Sequence, residues 1–125
     1  MIIRPLDNSD LQDLRKIHKK FYKEEFAFPD FDKHFLYAFS ITLDGKIVTA
    51  GGVRTILESV ILTDQSFSPR VRREALYQML QSSIYCADKM SYEELHAFIQ
   101  DENWLKILQK VGFKPTVGKS LVINW

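Results

Sequence analysis

The sequence has one cysteine, five glycines, four prolines and a formal net charge of only +1 in 125 residues. Each scarcity removes a class of protein. A single cysteine, Cys86, forms no internal disulfide and builds no cysteine-rich zinc site; lying within a helical pattern, it is expected to be a small buried apolar residue. Near-zero net charge gives no field for holding nucleic acid or an acidic membrane, so any basic site must be local. No apolar run approaches membrane-spanning length, and the opening MIIRPLDNSD lacks the layout of a signal peptide, so a soluble cytoplasmic protein is expected. His18, His34 and His96 are scattered without ligand spacing, and no metal centre is expected. Repeats, low-complexity tracts and linkers are also missing.

What is present is 46% apolar and 26% charged residues, enough for one compact domain spanning 1–125. Ile2, Ile3, Arg4, Pro5 and Leu6 read as a short strand, at an edge because Pro5 cannot donate to a ladder. Ser9 with Gln12 three residues on is a capping-box pattern, opening a helix whose face holds Leu11, Leu14, Ile17, Phe21 and Tyr22. The periodicity lapses over 23–34, where Phe26, Phe28 and Phe31 surround Pro29. Such aromatics either plug the edge of a core or line a binding loop. Alternation over 37–43, Asp44-Gly45 and a returning run over 46–50 signal a hairpin. Gly51-Gly52 then marks a bulge or a close backbone approach. Near the other end, 94–99 reads as a strand. Asp101 or Asn103 caps a helix over 104–111, Gly112 ends it, and 113–117 and 120–124 form a closing pair of strands around a Gly118-Lys119 turn. The order implies mixed α/β with a largely antiparallel sheet.

The stretch 58–80 organises the rest. Glu58 precedes Val60, Ile61 and Leu62, a short β-branched run that reads as a buried central strand. Ser68-Pro69 supplies an N-cap and a proline at the first helical position. Arg70, Arg72 and Arg73 crowd the start of that helix, whose apolar positions Leu76, Met79, Leu80, Ile84 and Ala87 recur at helical spacing. Free N–H groups, the positive end of the dipole and three guanidinium groups together suit an anion. An ordinary solvated basic helix start fits the same residues.

On these residues the chain resembles the GCN5-related N-acetyltransferase (GNAT) superfamily over essentially its whole length. Arg72-Arg73-Glu74-Ala75-Leu76-Tyr77 falls on the family's Arg/Gln-x-x-Gly-x-Gly/Ala, with Leu80 three residues later. Ile107-Leu108-Gln109-Lys110-Val111-Gly112-Phe113 is similar to the family's Leu-Tyr-Glu-Lys-x-Gly-Phe ending. Glu58 stands where some members hold a glutamate as general base. The resemblance implies a GNAT fold, with a mixed, mostly antiparallel central sheet and helices on both faces. It also implies acetyl-CoA as cosubstrate and transfer of its acetyl group to an amine of a small molecule or protein. Arg70, Arg72, Arg73 and the backbone of Ala75, Leu76 and Tyr77 would take the pyrophosphate, Val60, Ile61 and Leu62 the pantetheine arm, and Glu58 the proton. Three departures accompany the matches: Ala75 and Tyr77 replace glycines, and Leu108 replaces the tyrosine that protonates the departing thiolate, for which Tyr85 or Tyr92 could substitute. Such worn motifs look like GNAT-like proteins of tailed bacteriophages, which implies an alternative: a non-catalytic structural or interaction protein, in a virion or the host cytoplasm.

Overall fold

A computed structural model describes residues 1–116 and 118–125. They form two compact units, Met1–Thr55 and Ile56–Trp125, and the class is α+β: one three-stranded antiparallel sheet and three α-helices. No helix among the described residues is long and apolar enough to cross a membrane.

The first unit holds β1 (Ile2–Pro5), α1 (Leu11–Phe21), β2 (Phe35–Leu43) and β3 (Lys46–Arg54), in sheet order β1-β2-β3. The hairpin forms where Asp44-Gly45 places it. Both turn residues have positive φ, 50° and 77°, the backbone whose twist matches the flanking strands. The register slips by one residue between the Phe35 and Tyr37 pairs and again between Ile41 and Thr42. Gly52, opposite Ala38, is the close approach expected of the glycine pair, since a Cβ there would lie 2.0 Å from the Tyr37 carbonyl oxygen. Gly51 has open space around the corresponding position.

The cap lies two residues earlier than the sequence pattern suggests, on the 3₁₀ turn that leads into α1. Asp7 and Asp10, not Ser9 and Gln12, make the reciprocal box around a 3₁₀ turn at Asn8–Asp10. Asp7 Oδ1 accepts from Ser9 N at 3.1 Å, and Asp10 Oδ2 accepts from Asp7 N at 2.8 Å. A carboxylate wins this position because it has further acceptor sites to offer. Asp10, 5% exposed, also takes both Arg4 Nη atoms at 2.7 Å and the Ser40 hydroxyl at 3.4 Å. The bidentate Arg4 guanidinium and then the Asp7 N–H hold its carboxyl far below the usual carboxylate range. Past α1, aromatics of the irregular stretch over 22–34 pack on their neighbours, with Phe26 itself left 47% exposed. Phe26 and Phe28 meet the His18 ring edge-on at 5.4 and 5.6 Å, Arg15 lies over Phe28, and Phe31 packs on Phe35.

The second unit is built on α2 (Pro69–Lys89) and α3 (Glu102–Lys110). Ser68 Oγ accepts from Val71 N with Pro69 at the first helical position, and Asp101 caps α3. Gly112, φ 113°, closes α3: Phe113 N donates to Leu108 O and Gly112 N to Gln109 O, the paired bonds of a Schellman ending. Leu76, Leu80 and Leu108 make the core, with Ile61, Ala97, Ile99, Trp104 and Phe113 against it.

Four expectations fail in this unit. Val60, Ile61 and Leu62 are not a central buried strand: only Glu58 bridges, in parallel, to His96, and Val60 and Leu62 are 73% and 96% exposed. Residues 94–99 likewise contribute only that bridge. A strand exists only with a registered partner, and here the core takes up Ile61 alone. The closing strands do not form either. Phe113 is drawn into the ending of α3, residues 120–124 have no regular structure, and Val117 lies outside the described residues. Cys86 is exposed: it sits one residue, hence about 100°, off the stripe of Leu76, Leu80 and Ala87.

Two stability measurements test this reading. Gly52→Ala is expected to cost ~1–3 kcal/mol in chemical denaturation, the usual range for overpacking, whereas Gly51→Ala should stay within about 1 kcal/mol. Equal effects would show that the close approach at Tyr37 is not made. Because the Asp10 carboxyl is more acidic folded than unfolded, its stabilisation is complete above the unfolded value near ~3.9 and is lost as pH falls toward the depressed folded one. Asp10→Ala should therefore cost about 1–2 kcal/mol at pH 7 through the lost cap alone, with the gap to the parent closing below pH ~4. A gap unchanged down to pH ~2 would contradict the assigned pairing.

Candidate functional site

Two extended segments of the second unit run parallel and meet at one point. Ser59 N donates to His96 O at 2.7 Å, and His96 N donates to Leu57 O at 2.9 Å. Beyond this bridge no backbone bond joins them among the described residues, and they part around a cavity of about 240 Å³. Segments 58–61 and 97–101 form its sides; Trp104, Leu108 and Phe113 complete it. The parting follows from the helices. Ile61, Ala97 and Ile99 are each drawn onto the Leu76–Leu80–Leu108 core, while their neighbours Val60 and Phe98 remain exposed.

The chemistry of the lining is uneven. Ile61, Ile99, Trp104, Leu108 and Phe113 give it an apolar side, and Leu108 is 3% exposed. The polar groups are Glu58, Ser59, Gln100 and Asp101. Glu58 is exposed and its carboxylate has no partner among the described residues. Asp101 Oδ1 accepts from Asn103 N at 2.8 Å and Trp104 N at 3.3 Å as the cap of α3, which leaves Oδ2 uncommitted. No lysine, arginine or histidine lines the cavity.

Of the residues singled out by sequence, Glu58, Val60 and Ile61 come together here; Leu62 does not reach the lining. The arginine group lies on α2. Arg70 and Arg73 are exposed, while Arg72 is half-buried with Nη1 bonded to Gln65 Oε1 and Nε buried without a partner. In the loop before α2, the Ser66 hydroxyl and N–H hold the Asp64 carboxyl below its usual range. Ala75, Leu76 and Tyr77 differ from expectation in kind. They lie in the second and third turns of α2, where backbone N–H groups already donate within the helix. Only the first turn has free donors. Pro69 has no N–H, Val71 N is taken by Ser68 Oγ and Arg72 N by Ser68 O, so the Arg70 N–H is the one left. Leu76 is buried and Tyr77 is 54% exposed, its ring on the solvent side. Sequence reasoning passed over Gln100, Asp101 and Trp104 as site residues. Asp101 and Trp104 were legible only as helix cap and core face, and nothing in their spacing marks the second role.

The capping by Asp101 can be checked. Asp101→Ala should cost ~1 kcal/mol of stability and Asp101→Asn only a few tenths, since asparagine caps about as well as aspartate. An Asn variant as unstable as the Ala variant would mean that the charge, not the cap, holds α3.

Any assignment of function stands on this geometry, because no protein-family model, no curated protein and no solved structure matches the chain.

Proposed function

We propose that this chain is a cytoplasmic N-acyltransferase of the GNAT type, taking acetyl-CoA as cosubstrate and an amine as acceptor. One observation carries the reading: two parallel segments tied at Glu58 and His96 part immediately beyond the tie around a cavity. Such an opening leaves the N–H and C=O groups of one segment free to pair with the amides of a pantetheine arm, as an added strand would.

The reaction follows from the groups present. Glu58, lining the cavity with an uncommitted carboxylate, takes a proton from the acceptor ammonium, directly or through water. The freed amine nitrogen attacks the thioester carbonyl, and a backbone N–H of segment 60–62 stabilises the oxyanion. Collapse breaks the C–S bond and releases the CoA thiolate, and the second proton on nitrogen passes to the thiolate or to water, leaving the neutral amide. Arg70 and Arg73 with the free Arg70 N–H take the pyrophosphate at the start of α2, joined by Arg72 when it leaves Gln65. Ala75, Leu76 and Tyr77 supply no donors in this arrangement.

A second reading, a non-catalytic GNAT-type structural or interaction protein such as a virion component, is favoured by Leu108. Buried in the cavity lining, it offers no proton to a leaving group.

Calorimetric titration with acetyl-CoA separates the two. The transferase reading expects saturable binding at millimolar ligand or below, weakened by ~1.5–3 kcal/mol in Arg72→Ala. Tyr77→Gly should bring no gain, because Tyr77 lies in the third turn of α2, past the free donors of the first. Absence of binding, or binding that appears only in the glycine variant, favours the non-catalytic protein.

A further inference from the structure

We infer that the basic face of α1 holds the phosphate backbone of duplex DNA without reading its sequence. In a nearly neutral chain such a face requires charge to be unevenly spread, and it is. Of the 17 lysines and arginines, five stand within 15–23, at Arg15, Lys16, Lys19, Lys20 and Lys23, with no acidic residue among them. With these set apart, the rest of the chain is net acidic. At about 100° per residue, Arg15, Lys16, Lys19 and Lys20 fall within an arc of roughly 140° centred nearly opposite Leu14. Leu14 is buried and Leu11 and Ile17 are half-buried, whereas all five cations are exposed. None of the five has an ion-pair partner among the described residues. Arg15 lies over the Phe28 ring at 4.4 Å and Lys20 over the Phe21 ring at 5.1 Å, contacts that leave the positive charge unneutralised. Asp13, the one acid within α1, sits in its first turn. The negative end of the helix dipole accounts for Lys19 and Lys20 in the last turn, but not for Arg15 and Lys16 in the middle.

Charge complementarity calls for a dense anion, and the composition and shape of the face say which. A helix that lies on an anionic bilayer buries an apolar face beside its cations. Here the apolar side of α1 is already turned inward, and no apolar side chain stands among the cations. Phe21 is 60% exposed, but it lies about two turns from Leu14 and therefore on Leu14's side. Duplex DNA carries one negative charge per ~1.7 Å of its axis, so the roughly 8 Å of helix from Arg15 to Lys20 meets several phosphates wherever it lands. A convex helix about 10–12 Å across also matches a major groove about 12 Å wide. The groove puts phosphates on both sides of an arc that a flat surface would touch only along its middle. Four lysines to one arginine suit point contacts with phosphate rather than paired bonds to a base edge, and the arginine is already stacked on Phe28.

Fluorescence anisotropy of a short labelled duplex tests this with the full chain and no CoA. Micromolar binding is expected at about 50 mM salt, weakening roughly 50- to 500-fold by about 200 mM as roughly three to five phosphate contacts release their counterions. Two duplexes of unrelated sequence should bind within about twofold of each other. Lys16→Gln with Lys19→Gln should weaken binding at least about tenfold and make the salt dependence shallower by about two contacts. Lys106→Gln with Lys110→Gln removes the same charge from exposed positions of α3 and should change binding less than about threefold. Circular dichroism is expected to be unchanged in both pairs, since all four side chains are exposed. Absent binding at low salt, no loss in the α1 pair, equal loss in the two pairs, or a preference above about tenfold for one duplex overturns the inference. So do anionic vesicles that bind as tightly as DNA at the same salt and lose that binding with Lys16 and Lys19, since the partner is then a membrane. Neither result bears on the transferase reading, because none of these residues lines the cavity.

Discussion

The contact of Leu108 with Leu76 and Leu80 is what the second unit depends on. It fixes α3 against α2, and everything that shapes the cavity hangs from it. Ile61 and the residues Ala97 and Ile99 reach the same cluster from the two extended segments, so hydrophobic burial, not a ladder of hydrogen bonds, holds the segments after their single bridge. A fully buried leucine stabilises by roughly 1.5–3 kcal/mol, more than the ~0.5–1.5 kcal/mol of one net backbone hydrogen bond. Where the core draws in Ile61 from one segment and the alternate residues Ala97 and Ile99 from the other, the ladder between them is not needed and does not form. The opening is thus a consequence of packing, and a cavity with an apolar side and a backbone rim is its result.

Charge is used in two opposite ways in this nearly neutral chain. Arg4 is committed: both of its Nη atoms are bonded to Asp10, whose other bonds go to Asp7 and Ser40, so the pair locks the start of α1 to β1 and β2. Arg70 and Arg73 are uncommitted at the start of α2, and Arg72 has only a neutral amide oxygen for its Nη1. A guanidinium paired to a buried carboxylate holds structure, and one paired to an amide keeps its full charge available. Sequence proximity does not separate the cases. Asp64 stands as close to Arg70 in the chain as Asp10 does to Arg4, but its carboxylate is turned to Ser66.

How much of this was legible in the sequence follows from how local each signal is. The limits of α2 and α3 were readable because Ser68-Pro69, Asp101 and Gly112 act within one turn, and the hairpin was readable because Asp44-Gly45 sets its own backbone. The shift of the first cap from Ser9 to Asp7 was not, because Asp10 is chosen by Arg4 and Ser40, and Ser40 is thirty residues away. The strands expected over 60–62, 94–99 and 120–124 failed for one reason. β-propensity states that a residue suits a pleated, half-buried surface, and whether a partner exists is decided elsewhere in the chain. For the cavity lining, Glu58, Val60 and Ile61 stay together as chain neighbours, while Asp101 and Trp104 read in the sequence only as helix cap and core face. Cys86 was misread as buried by one position of helical phase.

Leu108 decides where the chemical burden falls if acyl transfer is the function. A thiol loses its proton near pH ~8.5, an alkylamine nearer ~10.4, so a thiolate leaves unprotonated with little penalty at neutral pH, whereas an ammonium is inert until its proton is removed. Losing a general acid therefore costs less than losing a general base. On that reading the base position would be filled by Glu58, which lines the cavity. The side chain at 108 is then free to serve the core, and it does so as the most buried apolar residue of the described chain. A hydroxyl at that depth would need a partner that none of Leu76, Leu80 or Ile61 can provide. On the transferase reading, stability at position 108 and proton removal at position 58 are thus divided between two residues of one cavity.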